Sequence, residues 1–414
     1  LSLSAKSDMK LHQMAVTCAF LNGKLNEILF MSQPEGFKSN ANLVCKLNKS
    51  IYGLKQAPRC WHNCIDEYLK KLGFKPLDAD PCMYSRFENG ILCLIALYVD
   101  DLIIASSSLD QINYVKSSLS SEFCMKDLGK LSYFLGVKID QNQSGIFVNQ
   151  SAYAKSLLTR FNLENANSVS TPVDVSTVLE KATDECELFN IETYQSAVGS
   201  LLYLSTRTRP DLTYAVCNVA KFSSKPTQKH WTAVKRIFRY IKGTCDLGIF
   251  YENSKLGKCI GYSDADFAGD RIDRKSVSGY CFTLGSGLIS WRSSKQSCVA
   301  LSTMESEYVA LSLACQHCVW LKNFLTELGV ENDEPFLLLE DNQSAICYAK
   351  NQKDYPRTKH ISVKFHFVRD LINRNEVELK YCRTELMLAD IFTKALTPEK
   401  FSRLRSLIGM TVMK

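Results

Sequence analysis

No run of apolar residues in this sequence is long and clean enough to span a bilayer. The most apolar stretch, Ile91 to Ala105, is cut by Asp100-Asp101, and two central carboxylates do not belong in a lipid span. No secretory leader is recognisable. The 17 cysteines lack the regular spacing of a disulfide framework. Most, such as Cys93, Cys217, Cys281 and Cys298, sit in apolar stretches, where cysteine acts as a small buried hydrophobe. A reducing, intracellular setting is therefore expected. The single Cys-x-x-Cys, Cys315 to Cys318, has no second pair at zinc-ribbon spacing and reads as helix packing. Internal repeats and low-complexity tracts are also lacking. The chain begins at Leu1 rather than methionine, so it is expected to be a piece of a longer frame.

What is present is ordinary for globular protein: 414 residues, 46% hydrophobic and 22% charged. That length implies two or three domains. The net charge of +7, spread along the chain, is compatible with a polyanionic partner without specifying one.

The first 150 residues mix short apolar strands with one clear helix. Trp61, Ile65, Tyr68, Leu69 and Leu72 recur at three and four within Ala57 to Leu72, and Gly73 follows as a stop. Gly90 to Val99 and Leu102 to Ala105 read as strands of a hairpin with Asp100-Asp101 at its tip. Residues 151–255 read as mainly helical, broken at Pro172, Pro210 and Pro226. There, His230 to Lys242 carries a stripe of Trp231, Val234, Ile237, Phe238 and Ile241, with Lys235, Arg236, Arg239 and Lys242 off it. That basic side reads equally as a solvated helix face or as a nucleic-acid contact.

From residue 256 the order changes. Lys258 to Asp264 reads as a strand, and Gly279 to Leu284 with Leu288 to Trp291 as a hairpin around Gly285-Ser286-Gly287. An extended run, Gln296 to Leu301, leads to a helix from Thr303 to about Leu328. A strand at Phe336 to Leu339, a helix through Ala349, a strand at Val377 to Tyr381 and a last helix from near Leu386 complete the pattern.

Four carboxylates in this part sit where they are costly to bury unpaired. Asp264 and Asp341 end apolar strands, and Asp390 lies in an apolar helical turn. Glu307 has Ala310, Leu311, Ala314 and Cys318 on its own helical face, so it points toward the sheet. Its neighbour Glu305 forms a capping-box pattern with Ser302, which gives it a structural task. Any one such acid could be a cap or an ion pair. Four converging on one sheet edge would suit two Mg²⁺ ions about 3.5–4 Å apart, with Mn²⁺ as a substitute.

The run from Gly261 to Ser312, GYSDADFAGD through MESEYVALS, resembles the ribonuclease H domain of copia-type (Ty1/copia) retrotransposon Pol polyproteins. EDNQSAICYAKN, RTKHISVKFHFVRD and LADIFTKAL do so too. The resemblance implies that Asp264, Glu307, Asp341 and Asp390 bind metal, with Asp266 and Glu305 as close rivals. His360 and His366 are also typical of that family. LYVDDLII resembles the Tyr-x-Asp-Asp hairpin of reverse transcriptases, which implies that Asp100 and Asp101 are polymerase metal ligands. LNKSIYGLKQAPRCWH, MSQPEGF, STPVD and VGSLLYLSTRTRPDLTYAV extend the match over nearly the whole chain.

The implied architecture is α/β and α+β multidomain. A reverse-transcriptase palm would occupy 1–150 without its fingers, a helical thumb or connection region 151–255, a ribonuclease H-like mixed five-stranded sheet 256–400, and a tail 401–414. The implied partners are an RNA template, a DNA primer and an RNA–DNA hybrid, with other Pol and Gag products of a virus-like particle, and no membrane. The implied location is the cytoplasm, with the nucleus as a second site.

One departure matters. In LHQMAVTCAFLNG the acid expected of the polymerase is replaced by Ala15, and Thr17 and Cys18 stand where Lys and Thr are expected. Asp8 is too far back to substitute. Losing a charge between two cations predicts impaired DNA synthesis. The ribonuclease H acids are complete, so hydrolysis of RNA in a hybrid is the expected activity. The competing expectations are an inactive or domesticated nucleic-acid-binding relic, and a polyprotein product that needs a longer chain.

Overall fold

The computed structural model describes residues 1–39, 42–254, 257–330, 334–351 and 362–413. Two compact units emerge. One comprises Ser7–Leu131 with Glu327–Val330, the other Leu1–Lys6, Ser132–Thr326 and Glu331–Lys414. We call them the N-terminal and C-terminal units.

The N-terminal unit is built on a six-stranded antiparallel sheet. Its order is Lys75–Pro76, Met83–Glu88, Ile91–Tyr98, Asp101–Ser106, Lys10–Val16, Met125–Lys130. The expected hairpin is present, with Tyr98 paired to Asp101. The expected helix runs Ala57–Lys71 and stops before Gly73, whose φ of 84° favours glycine. Trp61, Ile65 and Leu69 of that helix join Ile112, Val115 and Leu119 of helix Leu109–Glu122. Together they bury Met14, Val16, Ile95, Leu97, Leu102 and Ile104 of the sheet in one core. Each such side chain removed from water contributes about 1.5–3 kcal/mol.

The C-terminal unit holds two five-stranded sheets. The mixed one has the order Gly287–Lys295, Val277–Leu284, Cys259–Ala265, Phe336–Glu340, Val377–Tyr381. Its first three strands are antiparallel and the last two join in parallel. The long helix is Thr303–Glu327. This is the mixed sheet expected of a ribonuclease H-like fold. The other sheet is antiparallel: Met410–Val412, Leu247–Glu252, Gly145–Asn149, Val137–Asn142, Tyr133–Phe134.

These units divide the chain differently from the expected segments. Residues 132–150 belong with the later chain because Gly145–Asn149 pairs along its length with Leu247–Glu252. The helical region does not stand apart either. Leu201, Val216 and Phe238 share a core with Cys281, Leu288 and Phe392. Residues 401–414 hold most of helix Pro398–Leu407 and a strand paired to Leu247–Ile249. Two elements also differ. Gln296 to Leu301 is not a strand; Gln296 instead spends its amide on Ser278 Oγ and the Ser306 carbonyl, both at 2.9 Å. The helix expected near Leu386 is two 3₁₀ turns, Thr384–Leu386 and Leu388–Phe392. The second is buried on every side, so it carries no solvent stripe from which a helical period could be read.

A buried polar knot fixes the helical part. Arg209 and Asp211, each 1% exposed, form a two-point ion pair at 2.8 and 2.9 Å. Tyr240 donates to Asp211 at 2.7 Å, and Arg209 donates to the Thr244 carbonyl at 3.0 Å. Such a pair is tolerated when its remaining hydrogen bonds are satisfied. Among the described residues, no helix is long and apolar enough to cross a membrane.

Candidate active sites

The hairpin tip of the N-terminal unit is held in an unusual backbone. Val99 has φ 57°, a region that β-branched residues avoid. Two hydrogen bonds fix it: Trp61 Nε1 donates to the Val99 carbonyl at 2.5 Å, and Val16 N–H to the Asp100 carbonyl at 2.7 Å. The turn presents Asp100 and Asp101 at the sheet end, both half-buried. Burial, then the Asp100 charge, raises the Asp101 pKa, against a hydrogen bond from Gln13. Ala15 is the residue directly opposite Asp101 in the ladder. Cross-strand partners share a face, so a carboxylate at position 15 would stand beside Asp101. Asp8 precedes the other end of that strand, where Lys10 pairs with Ser106.

In the C-terminal unit, Asp264, Glu307 and Asp341 come together. One carboxylate oxygen from each lies within 4.8 Å of the others, the only such group among the described residues. Asp264 is 1% exposed and Glu307 4%, while Asp341 is half-buried. The Ala265 N–H donates to Glu307 Oε2 at 2.7 Å, tying the long helix to the end of the central strand. Thr384 donates to Asp341 at 2.8 Å, and the Thr393 hydroxyl donates to Asp264. The Thr393 turn reaches Asp264 because Gly279 lies across the ladder from it. A Cβ at Gly279 would stand 2.6 Å from Thr393 Cγ2 and 2.9 Å from Phe392 Cβ.

The electrostatics follow from crowding like charges in a dry place. Burial raises the Asp264 pKa, which the Lys394 charge offsets in part. Burial and then the charges of Glu340, Asp264 and Asp341 raise that of Glu307. A divalent cation relieves both causes at once, and hard carboxylate oxygens are its ordinary ligands. The residues present therefore fit such an ion.

Asp390 lies outside this trio. It is fully buried and ion-paired with two lysines, Lys394 at 2.6 Å and Lys400, although neither of its oxygens accepts a hydrogen bond among the described residues. Lys394 also reaches Asp264 at 3.3 Å. Burial alone would lower the Lys394 pKa, but Asp264 and Asp390 outweigh it and raise it. The rivals fall elsewhere. Asp266 accepts the Val277 N–H, and Glu305 accepts the Leu301 N–H at 2.7 Å while Ser302 caps Glu305 N–H at 3.2 Å. His366 is exposed, and His360 lies outside the described residues. Cys315 and Cys318 are buried in the long helix as free thiols. On the basic helix, Arg236 pairs with Asp174 at 3.2 Å and Arg239 donates to the Asn167 carbonyl at 2.7 Å.

Sequence reasoning missed Glu340. It is fully buried, and its Oε2 has no hydrogen-bond partner among the described residues. Burial, then the Asp264 charge, raises its pKa well above the usual range. Strand alternation could have found it, since Phe336, Leu338 and Glu340 share the buried face.

A family described as reverse transcriptase (RNA-dependent DNA polymerase) matches residues 1–175. The retrovirus-related Pol polyprotein from transposon TNT 1-94 of Nicotiana tabacum is 42% identical, over 99% of this chain and 32% of that one. That from transposon RE1 of Arabidopsis thaliana is 36% identical, over 99% and 28%. The chain thus spans about a third of these polyproteins. A Saccharomyces cerevisiae protein named for transposon Ty5-1 is 32% identical, over 72% of this chain and 98% of that protein. Among solved structures, RNase H1 from Halobacterium salinarum NRC-1 aligns with 33% of this chain and 95% of its own, at 16% identity and TM-score 0.25. With a reverse-transcriptase domain matched at its start and Pol relatives matched along its length, the chain belongs to the copia-type retrotransposon Pol polyprotein family.

Proposed function

We propose that the C-terminal unit hydrolyses the RNA strand of RNA–DNA hybrids at a divalent ion held by Asp264, Glu307 and Asp341. The observation that carries this reading is the meeting of three carboxylates from two strand ends and one helix, two of them buried. When bound, Mg²⁺ or Mn²⁺ would acidify a water and steady charge on the leaving oxygen. The protein's part is to hold the oxygens still. The Ala265 N–H fixes Glu307, the Thr384 hydroxyl fixes Asp341 and the Thr393 hydroxyl fixes Asp264. Hybrid recognition would rest on helix shape, phosphates and 2′-OH groups rather than base sequence. The two-ion scheme expected from four acids would require Asp390 to leave Lys394 and Lys400.

For the N-terminal unit, the position of Ala15 opposite Asp101 favours a second reading: a polymerase palm that binds nucleic acid without extending a primer.

Cleavage of an RNA–DNA hybrid in Mg²⁺, lost in both Asp264→Asn and Glu307→Gln, is the expected result. Cleavage that survives both substitutions rules out this site. Primer extension on an RNA template tests the second reading, and robust synthesis by the unaltered chain would refute it.

A further inference from the structure

A fourth acid and two lysines lie beside the acid trio. Lys394 Nζ sits 2.6 Å from Asp390 Oδ1, 3.3 Å from Asp264 Oδ2 and 3.4 Å from Asp264 Oδ1. It bridges the strand-end acid and the acid of the buried turn. Lys400 pairs with the other oxygen of Asp390. Three features of the chain build this arrangement. Asp390 and Lys394 are four residues apart. Thr397 caps the helix that carries Lys400. Gly279 lets the whole turn lie close on the strand bearing Asp264's partner.

Asp264 faces two ways. Together with Glu307 and Asp341 it offers a place for one dication. Toward Asp390 it already faces an ammonium. A second dication bridging Asp264 and Asp390 would have to expel Lys394 from two carboxylates and then sit near Lys400, cation against cation. Asp390 is fully buried and the two lysine side chains are only partly exposed, so solvent screens that repulsion incompletely.

We propose that the Lys394 ammonium, seated between Asp264 and Asp390, serves as the second positive charge of this site, which therefore takes one divalent ion beside it. This rests on the reading of the acid trio as a metal site. Lys394 acts as a fixed cation at the edge where a hybrid's phosphate would meet the ion. Lys400 acts as a positioning residue, holding Asp390 so that Asp390 in turn holds Lys394.

The test counts ions. The full chain carrying Asp100→Asn and Asp101→Asn is titrated with Mn²⁺, and free Mn²⁺ is followed by electron paramagnetic resonance. The expected stoichiometry is one ion removed by Glu307→Gln. Lys394→Met, or Lys394→Met with Lys400→Met, is expected to take two, and Lys394→Arg one. Circular dichroism confirms that each variant is folded. Two ions in the chain with Lys394 intact would overturn the proposal. So would a single ion in both methionine variants, or failure of both to fold while Lys394→Arg takes two. Failure of Glu307→Gln to remove any ion would instead bring down the metal-site reading itself, whatever Lys394 does.

Discussion

Ala15 faces Asp101 across an antiparallel ladder, on the side of the sheet away from the Met14 and Val16 core. A carboxylate placed there would stand beside two others at a hairpin tip that is already fixed by Trp61 and Val16. Without a cation, one close like-charge pair costs on the order of 3 kcal/mol at an effective dielectric near 20. Ala15→Asp is thus expected to lower the melting temperature in EDTA and to recover it in Mn²⁺. Calorimetric scans in the two buffers check this; equal melting in both means the three positions do not form a cation site.

The buried acids of the C-terminal unit predict an unusual pH dependence. Burial raises the Asp266 pKa from 3.8 to about 6, and burial and neighbouring charge raise those of Asp264, Glu307 and Glu340 as well. Groups with raised folded-state values contribute stability fully below their unfolded values and lose it as pH climbs through the folded ones. In EDTA, the melting temperature should fall as pH rises from about 4 through 6 and toward neutrality, and Mg²⁺ should flatten that fall. Asp270, held down to about 2 by Lys295, Ile272 N–H and Lys221 against burial, acts only below this window. A melting temperature that climbs over the window in EDTA contradicts the assignment.

Glu340 adds a buried carboxyl group with an unpartnered oxygen next to the acid trio, and burial and neighbouring charge disfavour its ionised form. Glu340→Gln removes the cost of an ionisable group in this place at nearly constant shape. At neutral pH without metal it is expected to stabilise the protein by about 1–3 kcal/mol, read from urea midpoints. If Glu340→Gln destabilises as much as a cavity mutation would, the side chain is paired in solution.

Gly279→Ala tests how the turn from Leu388 to Thr393 reaches Asp264. The added methyl would stand 2.6 Å from Thr393 Cγ2 and 3.1 Å from the Ala389 carbonyl oxygen. Overpacking of this kind costs about 1–3 kcal/mol. Stability should drop by that amount, and hybrid cleavage should drop further than stability because Thr393 and Lys394 move off Asp264. Cleavage that tracks the folded fraction alone would argue that the turn serves only as packing.

Breaking the Arg209–Asp211 pair should be costly for a different reason. Arg209→Leu leaves the buried Asp211 carboxylate without its guanidinium, with the Tyr240 hydroxyl still donating to it. A loss of about 3–5 kcal/mol is expected, partly recovered in Arg209→Leu/Asp211→Leu, as measured by a double-mutant cycle.

Much of this molecule is legible one segment at a time. The period of three and four in Ala57–Lys71, the hairpin around Asp100-Asp101 and the inward face of Glu307 are local patterns, and local sterics and burial enforce them. The sequence by itself therefore determined these elements and three of the acids that meet, Asp264, Glu307 and Asp341. Only the tertiary structure decided which groups share a charge. That Lys394 and Lys400 claim Asp390, that Glu340 crowds Glu307, and that Gly145–Asn149 belongs with Leu247–Glu252 depend on contacts between residues far apart in the chain. Coulomb energy and ladder pairing depend on distance in space, and no spacing along a sequence encodes that distance until the chain has folded.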